Sequence, residues 1–226
     1  HNPVSDQARS ANNRYNAWDI LGNVYGEVDF LRHFTARTSF GGTIDNQYSY
    51  AFTSNLYNEK ESHNSVNSYR EDAQYNSTWL WTNTLTYNNT FAEKHNVKVL
   101  IGSEAKNFHG KGVGGGGSGL AFEDPNYWSL SNATSNITNY SNANSTSLYS
   151  LFARLDYTFN GKYIVAGTIR RDGSSTAGPS VRYGNFPSVS LGWRISEEAF
   201  MKTVTWVDDL KLRGSWGKLG NISNVT

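Results

Sequence analysis

A chain of 226 residues is long enough for one large β domain, and its net charge of +1 gives no field to draw in nucleic acid or a strongly acidic partner. It contains no cysteine, which excludes a disulfide framework, a thiolate nucleophile and a thiolate zinc site. Charged residues are 17%, below the ~25% usual in soluble domains, while aromatics reach 14%; the surface suits something other than bulk water, and a barrel that spans a membrane with half-apolar strands stays open although no apolar run approaches the ~18 residues of a membrane helix.

Residues 1–18 are polar and read as irregular, with no visible signal peptide at the start. From Asn23 the side chains alternate, with Val24, Gly26, Val28 and Phe30 opposite Tyr25, Glu27 and Asp29. After a bend at 31–33, Phe34, Ala36, Thr38 and Phe40 oppose Thr35, Arg37 and Ser39. Residues 43–75 show no helical period and read as a long loop with a strand extension near 48–52. Trp79, Trp81, Leu85 and Tyr87 form the next apolar face, and a turn at 92–95 leads to Val97, Val99 and Ile101. Residues 107–147, with glycines at 110, 112 and 114–117 and a Ser/Asn/Thr tract, read as the longest irregular region, and the glycines as a mobile surface loop. Leu151, Ala153, Leu155, Tyr157 and Phe159 then alternate with Ser150, Arg154, Asp156 and Thr158. Asn160-Gly161-Lys162 is a tight-turn signal, because Asn and Gly tolerate the positive φ of a two-residue hairpin. Val165, Gly167 and Ile169 follow, then a loop over 172–185, then Val189, Leu191, Trp193 and Ile195, a short helical or turn segment over 197–206, and Leu210, Leu212, Gly214 and Trp216.

The expected strands are 23–30, 34–42, 77–91, 96–106, 148–159, 162–171, 186–196 and 209–218. A period of two gives each an apolar and a polar face. Connections at 31–33, 92–95, 160–162 and 197–208 are short, and those at 43–75, 107–147 and 172–185 are long. That alternation is the asymmetry of an outer-membrane barrel, with short periplasmic turns and long extracellular loops. Phe40, Phe91, Tyr163, Phe186, Trp193 and Trp216 near strand ends fit interfacial girdles. The fold class is therefore all-β, an antiparallel transmembrane β-barrel segment. Eight strands could close a small barrel, but the chain starts and stops in loops, and an unpaired edge in lipid costs several kcal/mol per backbone group. The expectation is an arc of a larger barrel, apolar sides toward lipid and polar sides inward. Apolar sides packed together between two facing sheets would contradict it.

Several blocks carry a resemblance. Residues 150–163 (SLFARLDYTFNGKY), 169–175 (IRRDGSS), 182–200 (RYGNFPSVSLGWRISEEAF) and 210–221 (LKLRGSWGKLGN) are similar, in that order, to signatures of SusC/RagA-type TonB-dependent outer-membrane transporters; 84–87 (TLTY) and 95–102 (HNVKVLIG) also resemble them, and 20–42 more loosely. The resemblance implies a plugged barrel of about 22 strands, a multi-pass protein in the outer membrane of a Bacteroidota-type bacterium. A SusD-like lipoprotein would cap it, and it would import oligosaccharides, or peptides in some members, powered through TonB. No plug domain, TonB box or closing strand is recognisable within 1–226, so all 226 residues are expected to belong to the barrel.

Candidate sites are few. Arg154, Arg170, Arg194 and Arg213 lie on the polar faces of four strands, either as a basic inner wall that meets plug or solute, or as ion-paired lumen residues. Tyr127 and Trp128 could stack on sugar rings or serve local packing. His33, His63, His95 and His109 lack metal-ligand spacing and read as turn or loop residues. The glycines at 110–117 have the wrong order for a phosphate loop, Asp172-Gly173-Ser174 reads as a turn or loop rather than a calcium site, and the sequons at Asn132 and Asn136 as loop composition. No cofactor is called for and no nucleophile–base constellation is present. The alternatives are a small eight-stranded outer-membrane barrel or adhesin, and a soluble β-rich carbohydrate-binding module.

Overall fold

The computed structural model describes residues 3–55 and 64–220. Alternation becomes eight strands: β1 (Arg14–Phe30), β2 (Phe34–Thr53), β3 (Ser68–Phe91), β4 (His95–Ser118), β5 (Ser135–Phe159), β6 (Tyr163–Ser174), β7 (Tyr183–Arg194) and β8 (Lys211–Gly217). They form one sheet in sequence order, β1 to β8. A short helix, α1 (Pro3–Ser10), precedes it where irregular chain was expected, and Ile195–Glu197 and Ala199–Met201 form 3₁₀ turns between β7 and β8.

Three connections are tight. In each, two successive residues have positive φ: Leu31 and Arg32 (49° and 62°), Ala92 and Glu93 (48° and 58°), Asn160 and Gly161 (50° and 68°). Two positive φ values in a row match the twist of the flanking strands, as in a type I′ turn. At the first two turns non-glycine residues bear the left-handed strain, roughly 1 kcal/mol or more for each. These turns alternate with longer connections at 54–67, 119–134 and 175–182. The last connection, 195–210, is longer than expected.

The strands extend well beyond their sequence signal. Residues 43–47, 68–75, 108–118 and 135–147, expected in loops, are strand, and the strand extension expected near 48–52 lies within β2. They lack alternation because Asn, Ser, Gly and Tyr occupy both faces, so neither face is apolar.

The chain divides into two compact units. The first comprises 1–21, 43–78 and 108–145, the second 22–42, 79–107 and 146–226. The first holds a small apolar cluster of Phe52, Tyr69, Leu120 and Ala133, with Tyr50, Trp128 and Leu130 packed against it. Buried Asn67 seals it: its amide donates to the Leu120 carbonyl (2.9 Å) and its oxygen accepts from the Leu120 N–H (2.8 Å). The glycines at 110–117 are not a mobile loop but part of β4. A Cβ at Gly110 would stand 2.6 Å from Asn144 Oδ1, one at Gly112 2.7 Å from Asn142 Oδ1, and one at Gly114 would strike Asp72 and Tyr140. The missing Cβ atoms let neighbouring side chains lie flat across the strand.

In the second unit the register is explicit. On one face, Leu155, Gly167, Val189 and Trp216 share a row, and Tyr157, Val165, Leu191 and Gly214 share the next. On the other, Phe152, Arg170 and Phe186 share a row, and Asp156, Ala166, Ser190 and Ser215 another. The apolar face is the open one: Ile169 is 54% exposed, Leu191 60% and Trp216 65%, whereas Ser150 and Ser174 on the polar face are 3% and 2%. Among the described residues of this unit only Ala166 and Ala177 are buried apolar groups, so no dry core between two sheets is found there.

Gly114→Ala in the full-length protein is expected to lower stability by about 1–3 kcal/mol, because Asp72 and Tyr140 must move. Gly167→Ala, on β6 between two paired strands, whose Cβ would come no closer than 4.0 Å to the Ser188 carbonyl, should leave it unchanged or raise it by about 0.4–1 kcal/mol. Equilibrium unfolding of both variants checks the contrast.

Candidate functional site

The polar face of the second unit is a network of paired charges. Arg170, on β6, reaches Glu104 on β4 (Nη2 to Oε1, 2.8 Å), Asp172 (Nε to Oδ1, 2.6 Å) and the Ser150 hydroxyl (2.8 Å), with its guanidinium 5.5 Å from the Phe152 ring centroid. Thr82 Oγ1 donates to the same Glu104. Arg154 pairs with Asp156 (Nε to Oδ2, 2.7 Å), and Arg194 with Glu197 (2.9 Å). Arg213 faces the same way, in register with Gly192, and has no ion-pair partner among the described residues. On β1 and β2, Arg37 pairs with Glu27 (3.4 Å) and lies 4.1 Å from the Tyr25 ring centroid, and Thr35 donates to Asp29 (2.6 Å). Exposed pairs of this kind contribute about 0.2–1 kcal/mol each; their larger effect is to hold a hydrophilic wall in one arrangement. Asp172, expected in a turn or loop, is thus strand, held by Arg170.

The apolar face is bounded by aromatic rows. At the tight-turn end, Phe159, Tyr163 and Trp193 stack in series, with centroids 6.3 and 6.5 Å apart. Glu198 ties this row down, accepting from Tyr163 Oη (2.6 Å), Trp193 Nε1 (3.1 Å) and Lys162 Nζ (2.9 Å). His95 joins the row, with Nδ1 2.8 Å from Tyr157 Oη and its ring 4.9 Å from that of Phe159. Tyr149, Gly173 and Tyr183 share the opposite row. Tyr163 and Gly173 are ten residues apart on β6, about 33 Å along a strand. At the ~40° tilt of barrel strands that rises about 25 Å, the height of a membrane barrel's apolar band. Two residues expected in girdles are elsewhere: Phe186 stands on the polar face opposite Arg170, and Trp216 sits mid-band opposite Val189. One polar spot in the band satisfies itself, Trp81 Nε1 donating to Thr38 Oγ1 (3.0 Å) and that hydroxyl to Asn83 Oδ1 (2.8 Å).

In the first unit, Tyr127 and Trp128 part company. Trp128 stacks on Phe52 (4.7 Å, 12°) and donates Nε1–H to the Glu123 carbonyl, so one ring face is covered. Tyr127 is 53% exposed and pairs with exposed Phe122 (5.0 Å), which composition did not single out. A cavity of about 160 Å³ in the same unit is lined by Tyr15, Gln47, Asp72, Tyr140 and Asn142. Tyr140 Oη donates to Asp72 (2.7 Å), which also binds Arg70. His33 sits in a tight turn against Tyr87, and His109 within β4; His63 lies outside the described residues.

A one-layer sheet, polar on the enclosed face and apolar on the open face between aromatic rows, defines the wall of a membrane β-barrel. The family described as TonB dependent receptor-like, beta-barrel, matches residues 2–221, and the chain belongs to it. It is 31% identical over 210 residues to the TonB-dependent receptor SusC of Bacteroides thetaiotaomicron, covering 92% of this chain and 20% of that protein. It is 36% identical over 143 residues to the TonB-dependent receptor P39 of Formosa agariphila, covering 58% of this chain and 13% of the relative. Among solved structures, the RagAB peptide transporter superposes with a TM-score of 0.81 at 24% identity, covering 94% of this chain and 24% of that one. The chain therefore spans a quarter or less of the length of each.

Glu198 supplies a pH test. Hydrogen bonds from Tyr163, Lys162 and Trp193 lower its pKa from the ordinary 4.5 to about 2. A depressed carboxyl stabilises the fold above its unfolded value, and this contribution is lost as pH falls from about 4.5 toward about 2. Unfolding midpoints measured down that range should fall for the wild type and fall less steeply for Glu198→Gln.

Proposed function

We propose that this chain is part of the barrel wall of a SusC-like, TonB-dependent outer-membrane importer, in a barrel of about 22 strands that encloses a plug. The observation that carries the reading is the inverted distribution of polarity: the open face is apolar and the enclosed face is a charge network, which suits hydrocarbon outside and water inside. On this reading Arg154, Arg170, Arg194 and Arg213 line the lumen, where the first three, held by carboxylates, keep the wall hydrated and Arg213 stands as a free cation among the described residues. A SusD-like surface lipoprotein closes the outer mouth, and TonB drives transport through a part of the protein beyond this chain. The solute is an oligosaccharide or a peptide. The polar, tyrosine-lined cavity at Tyr15, Gln47, Asp72 and Tyr140 favours the former, since its hydroxyl, amide and carboxylate groups suit a hydroxyl-rich solute. Exposed Tyr127 offers a flat aromatic surface for a sugar ring.

The orientation of the faces is tested by reconstituting the full-length protein in vesicles with chain-brominated phospholipid. Trp81 and Trp216 on the apolar face should be quenched; unchanged emission would identify a protein that does not meet lipid. Transport is tested in cells: disrupting the gene should abolish uptake of an oligosaccharide and spare its monosaccharide, and loss of TonB should have the same effect. Tyr127→Ala should raise the half-saturation concentration about threefold to tenfold, the value of one lost aromatic contact; an unaltered value would remove Tyr127 from the solute path.

A further inference from the structure

Arg171 breaks the pattern of the apolar face. Strand alternation places Arg170 on the polar face with three partners, and its neighbour Arg171 on the opposite face, in register with Leu151 and Asn185. In the described strand residues of the second unit it is the one Lys, Arg, Asp or Glu on that face. No carboxylate pairs with it among the described residues; its guanidinium rests 4.8 Å from the Tyr183 ring centroid. It lies one row inside the Tyr149–Gly173–Tyr183 row, at the upper margin of the apolar band.

Arg171 lines one hollow, and its ring partner Tyr183 lines a second. The first, about 660 Å³, is lined by Leu85, Ile101, Leu151, Ala153 and Ile169, with Arg171 and Asn185 also in its wall. It is open because Ala153 is small between two leucines. The second, about 400 Å³, is more polar and is lined by Trp79, Tyr149, Gly173, Ser175, Arg182 and Tyr183. Gly173 shapes it: a Cβ there would stand 2.5 Å from Tyr183 Cε1, so only glycine lets that ring lie flat across β6 beneath the cation. An apolar trough and a polar recess are thus linked through the Arg171–Tyr183 contact, and the guanidinium there has no carboxylate partner among the described residues.

We propose that this face binds a phosphate-bearing lipid of the surrounding membrane, its acyl chain in the trough and its phosphate on Arg171. The inference rests on the reading that the apolar face meets lipid. Charge complementarity selects the occupant. A cation at the margin of hydrocarbon is stabilised by an anion that is itself anchored there, and a guanidinium presents paired N–H groups matched to phosphate oxygens. Arg182, at the rim of the recess, adds a second cation toward the headgroup. Asn185, beside Arg171, offers an amide donor in place of another charge.

The test uses the full-length protein in detergent, with lipid retention read by native mass spectrometry. The probes are a diacyl phosphatidic acid, a diacylglycerol with the same chains, and glycerol 3-phosphate. The wild type should retain phosphatidic acid about fivefold over diacylglycerol, the preference of one basic residue near a membrane surface. Arg171→Gln should abolish the preference, Arg171→Lys should keep most of it, and Ala153→Phe, which fills the trough, should lower retention of both lipids. Equal preference in the wild type and Arg171→Gln would overturn the proposal. Binding of glycerol 3-phosphate as strong as that of the lipid would also overturn it, since it would mark a free-phosphate site. Brominated-lipid quenching separates the two levels: quenching without an Arg171-dependent preference sinks only this inference, while absent quenching sinks the membrane reading beneath it.

Discussion

A backbone amide in hydrocarbon has no water to fall back on, and each one left unpaired costs several kcal/mol. Every strand of this chain is therefore committed to its sequence neighbours, and the order β1 to β8 without a crossover is the simplest ladder that meets the demand. Once the ladder is fixed, side chains have two destinations only. Alternation then does the work a core does elsewhere, by giving each face one character. This explains why the described residues of the second unit carry almost no buried apolar groups and yet hold a defined register.

The two faces are stabilised by different physics. On the polar face the members are charges, paired along a strand as in Arg154–Asp156 and across strands where Glu104 on β4 reaches Arg170 on β6 past β5. On the apolar face they are rings and branched chains, with polar atoms tolerated only where they are satisfied, as in the Trp81–Thr38–Asn83 chain. The first unit follows neither rule. Its strands are decorated on both sides by Tyr, Asn, Gln and Asp, and it owns the one apolar cluster among the described residues, around Phe52 and Trp128. That is the composition of a surface meeting water and hydrophilic solutes.

The alternating segments were legible in sequence to within a few residues, since Leu151 to Phe159 and Val189 to Trp193 have one apolar face and could pair in one register only. Of the strand extensions, only that near 48–52 was legible. Residues 108–118 and 135–147 look like loop because glycine and asparagine are turn formers, but here glycine serves close approach and asparagine side chains fill the space it leaves. The four arginines were placeable on one face by parity; their partners were not, since Glu104 and Arg170 are joined only by the register of the intervening strand. Arg171 was within reach: extending the Val165–Gly167–Ile169 series by one step puts it on the apolar face. Glu198 lies outside any strand, and no periodicity points to it.

The turns with paired positive φ carry a consequence for how such a protein can diversify. Where a hairpin closes in so few residues, inserting one amino acid does not lengthen the turn but rotates the following strand by half a period; at 160–162 this would send Arg170 and Asp172 to the apolar face and strand Glu104 without its partner. At the opposite connections, where strand gives way to longer chain, added residues leave the register untouched. Change in length is thus open to the longer connections and closed to the three tight turns.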